Sequence, residues 1–449
     1  MATSTPGPAA PVGRDLLGRA AASGSLVLAV FAVINGVATY GLLVLLARLL
    51  GPEEYGWFGV FWSAILTIGF GLLLPVEQET ARRIARDPAN APAALRRALT
   101  LAGRICAAVA TLGVLTVMLL PGSARLDPLA GVAFVSTCLS YAGQFAGRGA
   151  LAGTGRLRAY ATVVLVDALA RLLACLGLAL GAVRSYAPYA VAVAASALVA
   201  TVLALTAAHR ATHRVAASAE SAGAPGAGAP TRRPAPSEPA LASAVARLAV
   251  GALGMQLLLN GGTVVARTMA APTEALVAGH LLATMTALRI PVFLLQSMQA
   301  SYVVRVAQQA HAGRSASLRR TLSVLGGLVL TAAVGTVLTA WLAGPEAVRL
   351  VFGPSYDLSR AVTVVVAGGV AAYLLGSVGN DLAVALGRHT AVAGAWVAGV
   401  AAAAAAYALS PDLVARATVP MIVGSTVAAL VLTARVVSAV RPVLREARR

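Results

Sequence analysis

Residues Gly24–Gln78 read GSLVLAVFAVINGVATYGLLVLLARLLGPEEYGWFGVFWSAILTIGFGLLLPVEQ, and this stretch decides the fold. It holds two apolar runs, 24–47 and 57–78. Each is close to the ~20 residues a helix needs to cross a bilayer. Arg48 and the turn formers Gly51-Pro52-Glu53-Glu54 stand between them. Neither run alternates polar with apolar, so half-buried strands are excluded. Ten more runs follow the same pattern, at 99–120, 129–152, 160–182, 187–208, 244–268, 276–300, 321–343, 361–386, 390–409 and 415–437. The reading is an all-α polytopic membrane protein of about 12 transmembrane helices in two six-helix lobes. Turns of a few residues join spans 4–5 and 10–11 and make those pairs antiparallel neighbours.

Composition supports this outward from the opening stretch. Of 449 residues, 59% are hydrophobic and 11% charged, and the mean hydropathy is +0.82. A soluble chain carries about 25% charge. Too few charges are present to coat the surfaces of a soluble multidomain enzyme. The formal charge is +19, and all 35 basic residues are arginine. They sit in short loops and not on an aromatic-interleaved basic face, which argues against nucleic acid. Topology and anionic membrane lipids account for them better. Cys106, Cys138 and Cys175 lie apart inside apolar runs, with no ligand spacing, and read as small core residues.

Orientation follows from the same arginines. With the N-terminal arm assigned to the cytoplasm, 25 lie in or beside inside segments, 6 lie outside and 4 lie within spans. This positive-inside asymmetry places both termini in the cytoplasm. The domain reading is a cytoplasmic arm at 1–23, a first lobe at 24–208, a linker at 209–243, a second lobe at 244–437 and a basic tail at 438–449. The linker is rich in Ala, Pro, Gly and Ser and is expected to be flexible. The lobes look repeated. Asn35-Gly36 matches Asn260-Gly261 at an offset of 225, and Gly155-Arg156 matches Gly387-Arg388 at an offset of 232. Two six-span repeats in one orientation suit a secondary transporter.

Ionisable residues inside hydrocarbon are costly and are functional candidates by default. Arg289 stands mid-span beside Pro291 with no carboxylate in its own span, so it is expected to face a watery cavity. Arg267 and Arg148 lie near opposite span ends, where snorkelling competes with substrate binding. Asn35 and Asn260 are equivalent mid-span amides. These five residues form the candidate substrate-binding set. Asp167 and Arg171, at i and i+4, form a candidate ion pair or gate. Asp381 joins them and is expected to pair with a cytoplasmic arginine. Glu77 and Glu79 precede Arg82-Arg83 and read as a solvated interfacial charge cluster. No Walker sequence, H-E-x-x-H or other catalytic set is present, and no metal site or cofactor is expected. The chain therefore reads as a carrier and not an enzyme.

Leu49-Leu50-Gly51-Pro52-Glu53-Glu54-Tyr55-Gly56, and Arg82-Arg83-Ile84-Ala85 after span 2, resemble the start of the prokaryotic polysaccharide flippases. Val351-Phe352-Gly353-Pro354-Ser355-Tyr356 and Ala385-Leu386-Gly387-Arg388 resemble their second half. These proteins form part of the multidrug/oligosaccharidyl-lipid/polysaccharide exporter superfamily. Pro75-Val76-Glu77-Gln78-Glu79 departs from the commoner apolar pattern. The resemblance implies a V-shaped pair of lobes in a bacterial plasma membrane, working by alternating access. Its cargo would be an undecaprenyl-diphosphate-linked oligosaccharide for cell-surface polysaccharide, and polysaccharide-assembly proteins would be partners. Guanidinium forks suit a diphosphate head. A drug or metabolite antiporter of the same fold, driven by H⁺ or Na⁺, is the alternative, although spans 1 and 7 lack a carboxylate. A major facilitator reading fails on its loop 2–3 pattern, and a non-transporting envelope-assembly scaffold is the last alternative.

Overall fold

The computed structural model describes residues 12–119, 127–222 and 240–446, and among these there is no strand. The first helix, α1, runs Val12–Ile68 but is broken at Gly51, whose φ of 73° and ψ of 172° are not helical. Glycine reaches that conformation at little cost, and Pro52 then opens the next helix with its φ already set. A π-turn at Gly69–Leu73 leads into α2, Leu74–Arg86. Pro75 has no N–H for the Gly71 carbonyl, and the preceding turn widens until Leu74 donates to Gly69.

The helices that follow are α3 (Ala91–Leu119), α4 (Pro128–Gly153), α5 (Leu157–Leu180), α6 (Ala187–Ala222) and α7 (Leu241–Thr268). Next come α8 (Ala275–Leu288), α9 (Ile290–His311), α10 (Ser315–Phe352), α11 (Arg360–Ala385), α12 (His389–Leu409) and α13 (Leu413–Glu446). Among the described residues, eleven stretches are long and apolar enough to span a membrane. The first, Val33–Arg86, has 54 residues. Unbroken it would reach about 81 Å, far beyond a ~30 Å hydrocarbon core. Broken at Gly51, it supplies two crossings, and the total among the described residues is twelve.

Several boundaries move. Helix α1 already begins at Val12, so the polar arm is shorter than residues 1–23, and residues 1–11 lie outside the described residues. The segment 209–222, read as linker, continues α6, and 223–239 lie outside the described residues. The basic tail from 438 is helical as far as Glu446. Span 8 divides into α8 and α9, because Pro291 cannot donate to Ala287 and the chain breaks at Arg289.

The two glycine-arginine turns share their backbone bonds. Between α4 and α5, Gly155 N–H donates to Ala152 and Arg156 N–H to Leu151 at 2.8 Å. Between α11 and α12, Gly387 donates to Val384 and Arg388 to Ala383, also at 2.8 Å. Both glycines have φ of 72°. The same Schellman turn thus recurs at an offset of 232.

One buried apolar cluster draws on residues 42–211 and takes in Val245, Leu282, Ala283, Val348, Phe352 and Tyr356. A second is built from residues 258–440. The halves therefore each hold a core and meet along a seam, formed mainly by α1 and α2 against α7 and α8.

Candidate functional site

At the Gly51 end the seam is shut. The guanidinium of Arg48 donates from Nε to the Val351 carbonyl at 2.8 Å and from Nη2 to the Leu350 carbonyl at 2.6 Å. In return, the Tyr356 hydroxyl donates to the Ala47 carbonyl at 2.7 Å. Tyr55 meets Tyr356 edge-on, with centroids 6.0 Å apart. Gly279 lies against the backbone of Pro52, and Gly59 lies under Leu282. Side chains at these glycines would hold α1 and α8 apart.

Arg267 belongs to this closure. It is buried, 3.4 Å from Glu53 and stacked 4.2 Å over the Trp57 ring. It does not snorkel to water.

Deeper in the seam stands Arg289, at the break between α8 and α9. The expectation of a water-facing guanidinium is corrected, since its residue exposure is only 7%. Nη1 donates to Asn260 Oδ1 at 3.2 Å, and Nη2 donates to the Leu259 carbonyl. Asn260 in turn donates to Gln256 Oε1 at 2.9 Å. Two candidate binding residues, Arg289 and Asn260, are therefore bonded to each other. The titratable neighbours of Arg289 are Tyr40 and Tyr55 from the first half and Tyr373 from the second. No carboxylate is among them. Its Nε and the Tyr373 hydroxyl are buried without a hydrogen-bond partner among the described residues. Tyr40 ties α1 to α8 by donating to the Thr286 carbonyl at 3.3 Å. Asn35 is half-buried on α1, more than a turn before Tyr40.

Each half also carries a buried polar cluster toward the end that bears the connection between halves. In the first half, Arg148 pairs with Glu77 at 3.0 Å, and the Tyr160 hydroxyl donates to Glu77 at 2.8 Å. Arg148 lies 4.6 Å over the Phe145 ring. It is thus a buried pair and not a snorkelling residue. Glu77 and Glu79 are buried, correcting the solvated reading; Glu79 holds Arg82 at 2.7 Å and Arg83 at 2.8 Å. In the second half, Asp381 accepts from the Tyr302 hydroxyl, from Gln299 Nε2 at 2.6 Å and from Asn380 Nδ2 at 3.2 Å. The expected arginine partner is absent among the described residues; neutral donors replace it. Trp396 Nε1 fixes Asn380 at 3.0 Å. Tyr302 stands 225 after Glu77, and Asn380 stands 232 after Arg148.

Asp167 and Arg171 approach to 3.5 Å. Ser196 donates to Asp167 at 3.4 Å, Arg171 reaches Thr39 at 3.5 Å, and its guanidinium lies 5.0 Å over Trp62. The pair thereby joins α5 to α1 and α6. Tyr160, Tyr302, Gln299, Trp57 and Glu53 were not legible as site residues. They are neutral or near loops, and only folding brings them to the charged groups. Among the described residues no group of three His, Cys, Asp or Glu could hold a metal.

No protein-family model matches the chain. It is 28% identical over 440 residues to uncharacterized proteins of Mycobacterium tuberculosis strains CDC 1551 / Oshkosh and ATCC 25618 / H37Rv, spanning 94% of this chain and 92% of each relative. Its fold is similar to that of an inward-facing multidrug resistance MATE family transporter of the MOP superfamily. That likeness has a TM-score of 0.68 and 13% identity, over 94% of this chain and 99% of the other. An outward-facing MATE transporter gives a TM-score of 0.61 and 14% identity, over 94% and 96%. A MOP superfamily transporter from Pyrococcus furiosus, described as having a binding pocket of reverse polarity, gives the same values.

Proposed function

We propose that the chain is a membrane transporter that moves an undecaprenyl-diphosphate-linked oligosaccharide from the cytoplasmic to the outer leaflet. The MATE-like fold supports a carrier of two rocking halves. The observation that carries the substrate class is Arg289, a buried cation at the seam with no carboxylate partner among the described residues. A buried charge answered only by neutral dipoles is costly unless it gains a counter-ion. In this reading, parting of the halves at the seam frees the guanidinium from Leu259 and Asn260 for the diphosphate. Bidentate contact to phosphate oxygens then offsets the lost bonds. With the positive-inside orientation, the shut Gly51 end lies outside.

The test is flipping of a fluorescent lipid-linked oligosaccharide in proteoliposomes. Arg289→Ala should abolish flipping, Arg289→Lys should keep part of it and Arg289→Glu should repel the head. A folded Arg289→Ala protein that flips at the unaltered rate would refute the assignment.

A second reading, the ion-coupled drug or metabolite antiporter, has its own support in Asp381. This carboxylate is buried among Tyr302, Gln299 and Asn380 without a cation. A proton or Na⁺ there would neutralise it. Ion-driven uptake of a cationic dye, lost in Asp381→Asn and unaffected by lipid-linked sugar, would select this reading over the flippase.

A further inference from the structure

A cleft of about 240 Å³ opens at the opposite end of the molecule from Gly51, between the α11–α12 turn and α13. Arg388, Thr390, Ala391, Arg435 and Ser438 line it. Both arginines are exposed, and neither forms an ion pair with a described residue. Arg388 is the cap residue of α12, and its carbonyl takes the first regular helix bond, from Val392 at 3.2 Å. The N–H groups of the first turn have no helical acceptor and carry the positive end of the helix dipole. The Ser438 hydroxyl donates to its own helix at Arg435, so its oxygen can still accept. Two guanidinium forks, a threonine hydroxyl and a helix start converge on one space. That donor set matches a phosphate group.

Position decides which phosphate. The span His389–Leu409 begins at the cleft, and the span Leu413–Arg441 ends beside it. The cleft therefore sits at the membrane surface. From it, Thr390 and Val397 lie seven residues apart on α12. Seven residues is two turns, so the two share a helix face. Val397 is exposed, which leaves apolar surface on α12 running inward from the cleft.

We propose that this cleft binds the phosphate of an anionic phospholipid, with its acyl chains lying along α12. The site is separate from Arg289 and the seam, and it does not depend on the cargo. A basic pocket between helices at the membrane surface fits such a headgroup.

The experiment uses the full chain in a zwitterionic detergent and reads phosphatidylglycerol binding by native mass spectrometry. Phosphatidylcholine and inorganic phosphate serve as comparison probes. Arg388→Gln with Arg435→Gln should weaken phosphatidylglycerol binding at least tenfold, and the two Lys replacements should keep part of it. Arg319→Gln with Arg320→Gln, also exposed at this end, should leave it unchanged. If the double Gln variant does not fold, each single Gln variant should show part of the same loss. Undiminished binding in the Gln variants overturns the proposal. So does equal occupancy by phosphatidylcholine. Displacement of the lipid by inorganic phosphate at equal concentration would make this a free-anion site and overturn the lipid assignment.

Discussion

Replacing Gly279 with alanine tests whether closure at the Gly51 end is a state of the seam. A β-carbon on Gly279 would lie 2.7 Å from the Pro52 α-carbon and would overlap the Pro52 carbonyl. The obstacle is backbone, so no side-chain rotation relieves it. Overpacking of this kind costs about 1–3 kcal/mol. If α1 and α8 touch here in only one state, the whole cost falls on that state. The equilibrium then moves roughly 5- to 150-fold toward the separated form. Spin labels at Leu180→Cys and Leu350→Cys report the separation. Both sites are exposed at the Gly51 end, 83% and 78% respectively, on opposite halves. Cys106, Cys138 and Cys175 are buried and should stay unlabelled. Pulsed electron resonance should show a longer-distance population gaining weight in Gly279→Ala. A folded Gly279→Ala protein with an unchanged distance distribution would show that the contact is not specific to one state.

Arg148→Gln leaves Glu77 buried without its cation and should cost about 3–5 kcal/mol, seen as loss of monodisperse protein; adding Glu77→Gln should recover much of it, and a harmless Arg148→Gln would show the pair to be dispensable. Ala182 holds a φ of 53°, a left-handed conformation that costs a non-glycine residue about 1–2 kcal/mol, so Ala182→Gly should raise the melting temperature in detergent. Gly155→Ala and Gly387→Ala should each lower it by similar amounts, because the two turns share one geometry; a large difference between them would break the repeat argument. Reporter fusions after residues 215 and 449 should both read cytoplasmic, and an external C-terminus would reverse the topology.

Fold and site were unequally legible. The helical, multi-pass class was decided by residues 24–78 and the runs that follow, because bilayer thickness fixes the length of an apolar helix and hydropathy is read locally. Two helix ends were legible too, since Gly155 and Gly387 mark turns that need a left-handed residue. The break at Pro291 also obeys a local rule, because a missing N–H acts on its own helix. Local rules failed where partners are distant in sequence. Arg148 and Arg267 lie near span ends, where snorkelling is the ordinary outcome; tertiary packing instead supplied Glu77, Tyr160, Glu53 and Trp57, and buried them. Arg289 had no carboxylate in its span, yet the conclusion that it faces water did not follow. A backbone carbonyl and an amide on α7 took its place, and no pattern in the sequence marks a carbonyl as available. Asp381 went the same way, to a tyrosine, a glutamine and an asparagine. Hydropathy and helix period act over a few residues and can be read along the chain. The partner of a buried charge is chosen by which helix faces pack together, and only the tertiary structure decides that.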